Sequence, residues 1–250
     1  MHALGCIPDR HDPRDLRFSA VANDCGVLEL PPSVDLRPLC SPIRDQGNLG
    51  SCTSFAIVSG FRECLLVQMH DFTELSPLYL YFWERSLERT IDQDAGAMIR
   101  DGMRALRKLG APPEIDWPYV IPQFTQRPSP QAMADAGRYR IAHYHRSHST
   151  IEIKQALVLN QPVVIGIAIF ESFESAEVAR TGIVPIPDQD RERFLGGHAT
   201  VIVGYRDQDA VFIVRNSWGS TWGMDGYFTL SYGFFRPHLR LVTDAWTGSA

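Results

Sequence analysis

No apolar run in the chain approaches the ~20 residues of a membrane-spanning helix, so no membrane partner is expected. The opening stretch MHALGCIPDRHDPRD is too polar for the apolar region of a secretory signal. The protein therefore stays in the cytoplasm, leaves by a signal-independent route, or is given without its signal. A basic excess is missing too: 24 Lys and Arg stand against 29 Asp and Glu, a net charge of −5, which excludes the electrostatic footprint of a nucleic-acid binder. Cysteine is scarce, five in 250 residues, with no CxxC pair and no Cys/His cluster at zinc spacing. Neither a metal nor an organic cofactor is expected. Five is odd, so at least one of Cys6, Cys25, Cys40, Cys52 and Cys64 is unpaired within the chain.

What remains is an ordinary globular composition, 44% hydrophobic and 21% charged, at a length suited to one domain of two lobes or two small domains. Residues 1–30 read as an extension, rich in Asp, Arg and Pro and without helical or strand periodicity. The run from Cys52 to Leu66 is apolar on most sides, the mark of a helix buried in the core. Ser76 and Pro77 read as the N-cap and first residue of a second helix. A third runs from about Ala95 to Leu109, with Gly110 as its left-handed terminator and Pro112-Pro113 blocking continuation. A Pro/Gln-rich connector, residues 121–132, follows.

Beyond it strands dominate. RYRIAHYH alternates, and STIEIKQALVLN opens with a capping box formed by Ser149 and Glu152. QPVVIGIAIF is a continuous β-branched run, and HATVIVGY, AVFIVRN and YFTLSY are three more strand candidates. A helical front half and a mainly β back half give an α+β arrangement of two lobes.

The stretch RDQGNLGSCTSFAIVSGF carries the chemistry. Cys52 sits where a glycine-bearing loop enters the apolar helix. Unpaired N–H groups and the helix dipole favour a thiolate there. A space-filling core cysteine and a disulfide half remain the alternatives at this point. Of eight histidines, His198 is the best candidate base: two glycines precede it and an apolar strand follows. Asn216, 18 residues on in NSWGSTWGMDGY, can accept the imidazole N–H, and Trp218 can cover that bond. Gln46 can donate to a developing oxyanion together with the Cys52 N–H. The histidines of HYHRSH alternate along a strand, which argues against a metal set. PDQDRER reads as a solvated loop that rims the cleft.

DQGNLGSCTSFA, GGHATVIVGY and NSWGSTWGMDGYF, in that order, resemble the papain-like cysteine peptidases, and PPSVDLRP resembles the segment that opens their mature domain. The resemblance runs from about Pro31 to Tyr232. It implies a papain-like fold with a helical N-terminal lobe (about 40–120), a β-barrel-like C-terminal lobe (about 130–240) and the cleft between them, within a peptidase domain of residues 31–250. It implies Cys52 as nucleophile, His198 as base and acid, Asn216 as its orienting group, Gln46 in the oxyanion hole and Trp218 as shield. DAGAMIRDG resembles the family's glycine-containing wall, with Gly96 the candidate that pairs with substrate backbone. By rough alignment Gly166 and Gly197 lie near the pocket for the second residue before the scissile bond.

The implied activity is hydrolysis of peptide or protein substrates through an acyl-enzyme, by a monomeric endopeptidase. An acyl or amide transferase using the same chemistry and an inert peptide-binding homologue are the alternatives. Leu49 stands where the family usually has a disulfide cysteine, and Gln93 or Asp94 near its usual partner. Thr53 replaces the aromatic residue that usually follows the nucleophile. The extension either crosses the cleft as a pro-segment, packs as a strap behind a lobe, or hangs free. Pairing among Cys6, Cys25, Cys40 and Cys64 stays open, with Cys64 taken as buried and reduced.

Overall fold

Residues 2–24 and 29–250 are described by the computed structural model. They begin with strand β1 (Cys6–Ile7), helix α1 (Phe18–Asp24) and strand β2 (Ser33–Asp35). The central helix follows as α2 (Cys52–Phe55), a π-helical segment (Ala56–Arg62) and α3 (Glu63–Gln68). Every side chain from Cys52 to Leu66 is buried, in keeping with its all-round apolar sequence. The π segment contains Gly60, where a Cβ would come within 2.4 Å of Val201 Cγ2. The missing side chain lets the β lobe press directly on the helix backbone.

Helix α4 (Pro77–Glu88) starts where Ser76 and Pro77 predict. Ser76 Oγ accepts the Tyr79 N–H at 3.1 Å, and Arg89 ends the helix at φ 62°. Strand β3 (Ala97–Met98) precedes helix α5 (Ile99–Leu109), so the expected start at Ala95 is corrected: residues 97–98 are extended because they pair with β1. Gly110 is not the expected left-handed cap. It has φ 80° and ψ −164°, and a Cβ there would lie 1.9 Å from Ala136 O. Part of the expected connector is helical, as α6 (Pro130–Ala136), because Ser129 Oγ caps the Ala132 N–H.

The β lobe contains β4 (His143–Arg146), α7 (Thr150–Val158), β5 (Val163–Phe170), α8 (Ala176–Thr181), β6 (Ile183–Val184), β7 (Phe194–Arg206), β8 (Val211–Arg215), β9 (Tyr227–Ser231) and β10 (Val242–Ser249). The sheet order is β4-β10-β5-β7-β8-β9-β6, with β2 also on β7. Ser149 caps α7 as its capping box predicts, but Glu152 reaches one residue further back, accepting the His148 N–H at 2.7 Å. Strand β4 is shorter than its alternating sequence suggests. Strand β10, with Thr-Gly-Ser near its end, gave no sequence signal and yet joins β4 to β5.

The extension is more ordered than its composition suggests. Arg146 N–H donates to Leu16 O at 2.8 Å, Phe18 is fully buried, and α1 packs against α7. Cys25 lies outside the described residues. Cys6, Cys40, Cys52 and Cys64 are all free thiols, and Cys64 is buried. One apolar core runs through both lobes, so the groove between them has rigid walls.

Candidate active site

Cys52 is the first residue of α2 and is fully buried. Its Sγ accepts the N–H of Ala199 at 3.4 Å and the N–H of Gly5. The first contact puts the thiol against β7, beside His198, although 147 residues of chain separate Cys52 from Ala199. Burial pushes the thiol up to about 12, against the pull of those N–H donors.

His198 is also fully buried. Its Nε2 lies 2.8 Å from Asn216 Oδ1, which also accepts the Ser217 N–H at 2.9 Å. That second bond fixes the amide orientation, so the ring donates through Nε2. Nδ1 is left as the basic nitrogen, buried and without a partner. Burial pulls the imidazole down to about 4, with the Asn216 bond opposing. Trp218 stacks on the ring, with centroids 4.7 Å apart. Burial thus favours the neutral form of the thiol and of the imidazole alike.

Gln46 is fully buried and held from both sides. Its Oε1 accepts from Ser217 Oγ at 2.7 Å, and its Nε2 donates to Leu49 O at 2.9 Å and to Ala3 O at 3.2 Å. A donor fixed in this way can stabilise a carbonyl oxygen that gains charge.

The atom meeting Gln46 belongs to the extension, and residues 2–7 run through the groove. His2 stacks on Trp218 at 4.0 Å and its Nδ1 lies 3.0 Å from Glu174 Oε2. Ala97 N–H donates to Gly5 O at 2.8 Å, and Cys6 pairs with Ala97 in the parallel β1–β3 ladder. All three sequence-derived glycines face this segment. A Cβ at Gly96 would lie 2.1 Å from Gly5 O and one at Gly197 2.1 Å from Cys6 O, whereas one at Gly166 would first meet Thr243 Oγ1 at 2.5 Å and then Cys6 Sγ at 3.1 Å. Gly96 also needs its φ of 71°. The groove thus accepts an extended backbone where only glycine leaves room.

Several supporting residues escaped the sequence reading. Thr53 Oγ1 donates to Glu84 Oε2 at 2.8 Å, and both residues are fully buried. Burial keeps the Glu84 carboxyl protonated well above the usual range. Asp94 receives the Gly50 N–H and the Tyr81 hydroxyl. Tyr119 donates its hydroxyl to Gln46 O at 2.8 Å and lies 2.6 Å from Ser51 Oγ. A polar residue on a helix or loop reads as solvated, so only the fold exposes these roles.

A family model described as papain family cysteine protease matches residues 30–236. An uncharacterized peptidase C1-like protein of Acanthamoeba polyphaga mimivirus is 38% identical over 231 residues, covering 88% of this chain and 73% of its own. The crystal structure of xylellain, a cysteine protease from Xylella fastidiosa, superposes with a TM-score of 0.88 at 33% identity, covering 100% of this chain and 96% of that one. Digestive procathepsin L 3 of Tenebrio molitor shares the fold, with a TM-score of 0.70 at 22% identity over 96% of this chain and 76% of its own. The chain belongs to the papain family of cysteine proteases.

Proposed function

We propose that this protein is an endopeptidase, and that residues 2–9 hold its groove closed until they are displaced. The supporting observation is the convergence on one extended segment of the Cys52 sulfur, the Gln46 amide and the glycines at 96, 166 and 197. A substrate backbone in that place would present its carbonyl oxygen to Gln46 Nε2 and to the Cys52 N–H. The Cys52 sulfur then attacks the carbonyl carbon, with its proton passed to His198 Nδ1. His198 returns a proton to the leaving amine and then draws one from water, which releases the acid from the thioester. Asn216 keeps the ring in the required tautomer, and Trp218 shields the bond between them. Every group comes from one polypeptide, so a monomer suffices. Peptides and proteins are the substrates this groove suits.

The extension fills the groove without offering a reactive carbonyl. Gln46 holds Ala3 O, whereas the sulfur faces the Gly5 N–H two residues further on. The nucleophile meets a hydrogen-bond donor rather than a carbonyl carbon. The docked segment also removes the water that a thiolate–imidazolium pair needs, consistent with the neutral forms that burial favours. Peptide digestion by the full chain and by a chain starting at Pro31, with Cys52→Ala as blank, tests both ideas. Turnover confined to the shortened chain is expected. Equal turnover by both rejects the closure, and no turnover by a folded shortened chain rejects the peptidase reading.

A further inference from the structure

We propose that Glu174 and Trp218 form a subsite that selects a cationic side chain, arginine foremost, just after the scissile bond, an inference that rests on the peptidase reading above. His2 of the docked extension marks the place. Its ring lies flat on the Trp218 indole, with centroids 4.0 Å apart and planes 5° from parallel. Its Nδ1 lies 3.0 Å from Glu174 Oε2, and its backbone N–H donates to Glu174 Oε1 at 3.2 Å. A flat, nitrogen-bearing group thus meets an aromatic face and both oxygens of one carboxylate.

The path of the extension fixes the side of the reaction centre on which this happens. From His2 it passes Gln46 at Ala3 O and the Cys52 sulfur at the Gly5 N–H, then reaches the glycine wall with Gly5 O and Cys6. By the family resemblance, that wall takes the residues before the scissile bond. The residues after it belong at the opposite end. His198 must protonate the leaving amine, and Trp218 stacks on His198 as well as on His2.

Both walls are held in advance. Glu174 ends the short turn Glu171–Glu174, which Phe173 pins by packing edge-on against Trp218 and stacking on Trp222. Ser172 N–H donates to Glu192 Oε2 at 2.8 Å from the same turn. Neighbouring Glu171 and Glu177 are matched by Arg193 and Arg180, at 3.3 and 2.8 Å. Among the described residues no Lys or Arg pairs with Glu174, so release of His2 leaves its carboxylate open to a cation from the substrate. A guanidinium suits both walls, because its plane stacks on an indole and its fork donates two N–H groups to a carboxylate. A lysine ammonium supplies the charge without the fork.

The test uses the full chain carrying His2→Ala and Gly5→Val. A Cβ at Gly5 would lie 1.9 Å from Gly50 O, so the valine expels the segment without shortening the chain. Quenched fluorescent peptides are paired so that they differ only in arginine or citrulline at the first or second position after the scissile bond. The ratio of kcat/KM, which reports acylation before the leaving peptide departs, should favour arginine about five- to tenfold and fall with added salt. Glu174→Gln in the same chain should bring that ratio close to one, and Glu174→Arg should turn the preference to glutamate over glutamine. A ratio near one in the parent chain, with both peptides cleaved, overturns the subsite and leaves the peptidase reading standing. A preference for arginine that survives Glu174→Gln also overturns it. Failure of the folded, open chain to cleave any peptide overturns the peptidase reading, and the subsite with it.

Discussion

Asp94 accepts the Gly50 N–H through both carboxylate oxygens, at 3.0 Å each. Gly50 lies two residues before Cys52, and Asp94 two residues before Gly96. These are the neighbourhoods that the sequence resemblance marks as lacking a disulfide, with Leu49 at one usual cysteine and Gln93 or Asp94 near its partner. A carboxylate bridge spans them instead, and it also holds the Tyr81 hydroxyl, which in turn accepts the Gly96 N–H at 3.1 Å. Asp94→Ala should cost about 1–2 kcal/mol, the value of charge-assisted bonds in a partly solvated place. Thermal melts should show that loss, and the shortened chain should show a larger drop in kcat/KM than a surface substitution does. A variant equal to wild type in both would deny the bridge any role.

Glu84 sets a second expectation, for stability against pH. Its carboxyl is fully buried, receives the Thr53 hydroxyl, and is held well above its ordinary 4.5 by burial. The folded chain keeps this proton above pH 4.5, whereas the unfolded chain gives it up. The group therefore removes stability as pH rises, by about 1.4 kcal/mol per unit until the folded value is reached. Glu84→Gln keeps the shape and removes the proton. It should melt at a higher temperature than wild type near neutral pH and match it in acid. Parallel melting curves for the two proteins across that range would refute the protonated assignment.

Much of the site was legible in the sequence because its chemistry is local. Cys52 follows a glycine loop, His198 follows two glycines, and Asn216 and Trp218 sit in one tetrapeptide. The central helix was legible because no polar face interrupts it. What stayed hidden depends on distant partners: Thr53 with Glu84, Gly50 with Asp94 and Ser51 with Tyr119 lie 31, 44 and 68 residues apart. A carboxylate on α4 has the same residue type whether it faces water or the core. Helix α1 and strand β10 were missed for a related reason. Their ordering comes from α7 packing against α1 and from β4 and β5 flanking β10, not from periodicity.

Gln46 separates binding from catalysis. Its Nε2 meets Ala3 O in the closed groove and would meet the substrate carbonyl in an open one. Removing a fixed oxyanion donor costs roughly 10²-fold in kcat with little change in KM. Gln46→Ala in the shortened chain should show that split with a fluorogenic peptide. A rise in KM at constant kcat would assign Gln46 to substrate binding alone.

Asp9 gives the closed groove a pH dependence of definite sign. Its side chain is buried, with Oδ2 accepting from Trp246 Nε1 at 2.7 Å and Oδ1 from Arg100 N–H at 3.1 Å. Its own N–H donates to Asp244 Oδ2 at 3.0 Å, and Arg146 lies 3.7 Å from Oδ2. Asp15 shares both arginines, so three carboxylates face two guanidinium groups. Burial first, and Asp244 second, push Asp9 up to about 7 from its ordinary 3.8. The docked segment thus keeps a proton that the released one loses between those values. Docking is strongest in acid, weakens roughly tenfold per unit as pH rises toward 7, and then levels off. Asp9→Asn cannot lose that proton and should abolish the slope. The rate at which an epoxide inhibitor labels Cys52 in the full chain reads the open fraction. Its ratio, wild type over Asp9→Asn, cancels the pH dependence of the thiol itself. That ratio should climb from about pH 4 to 7, and a flat ratio would place the control of docking elsewhere than Asp9.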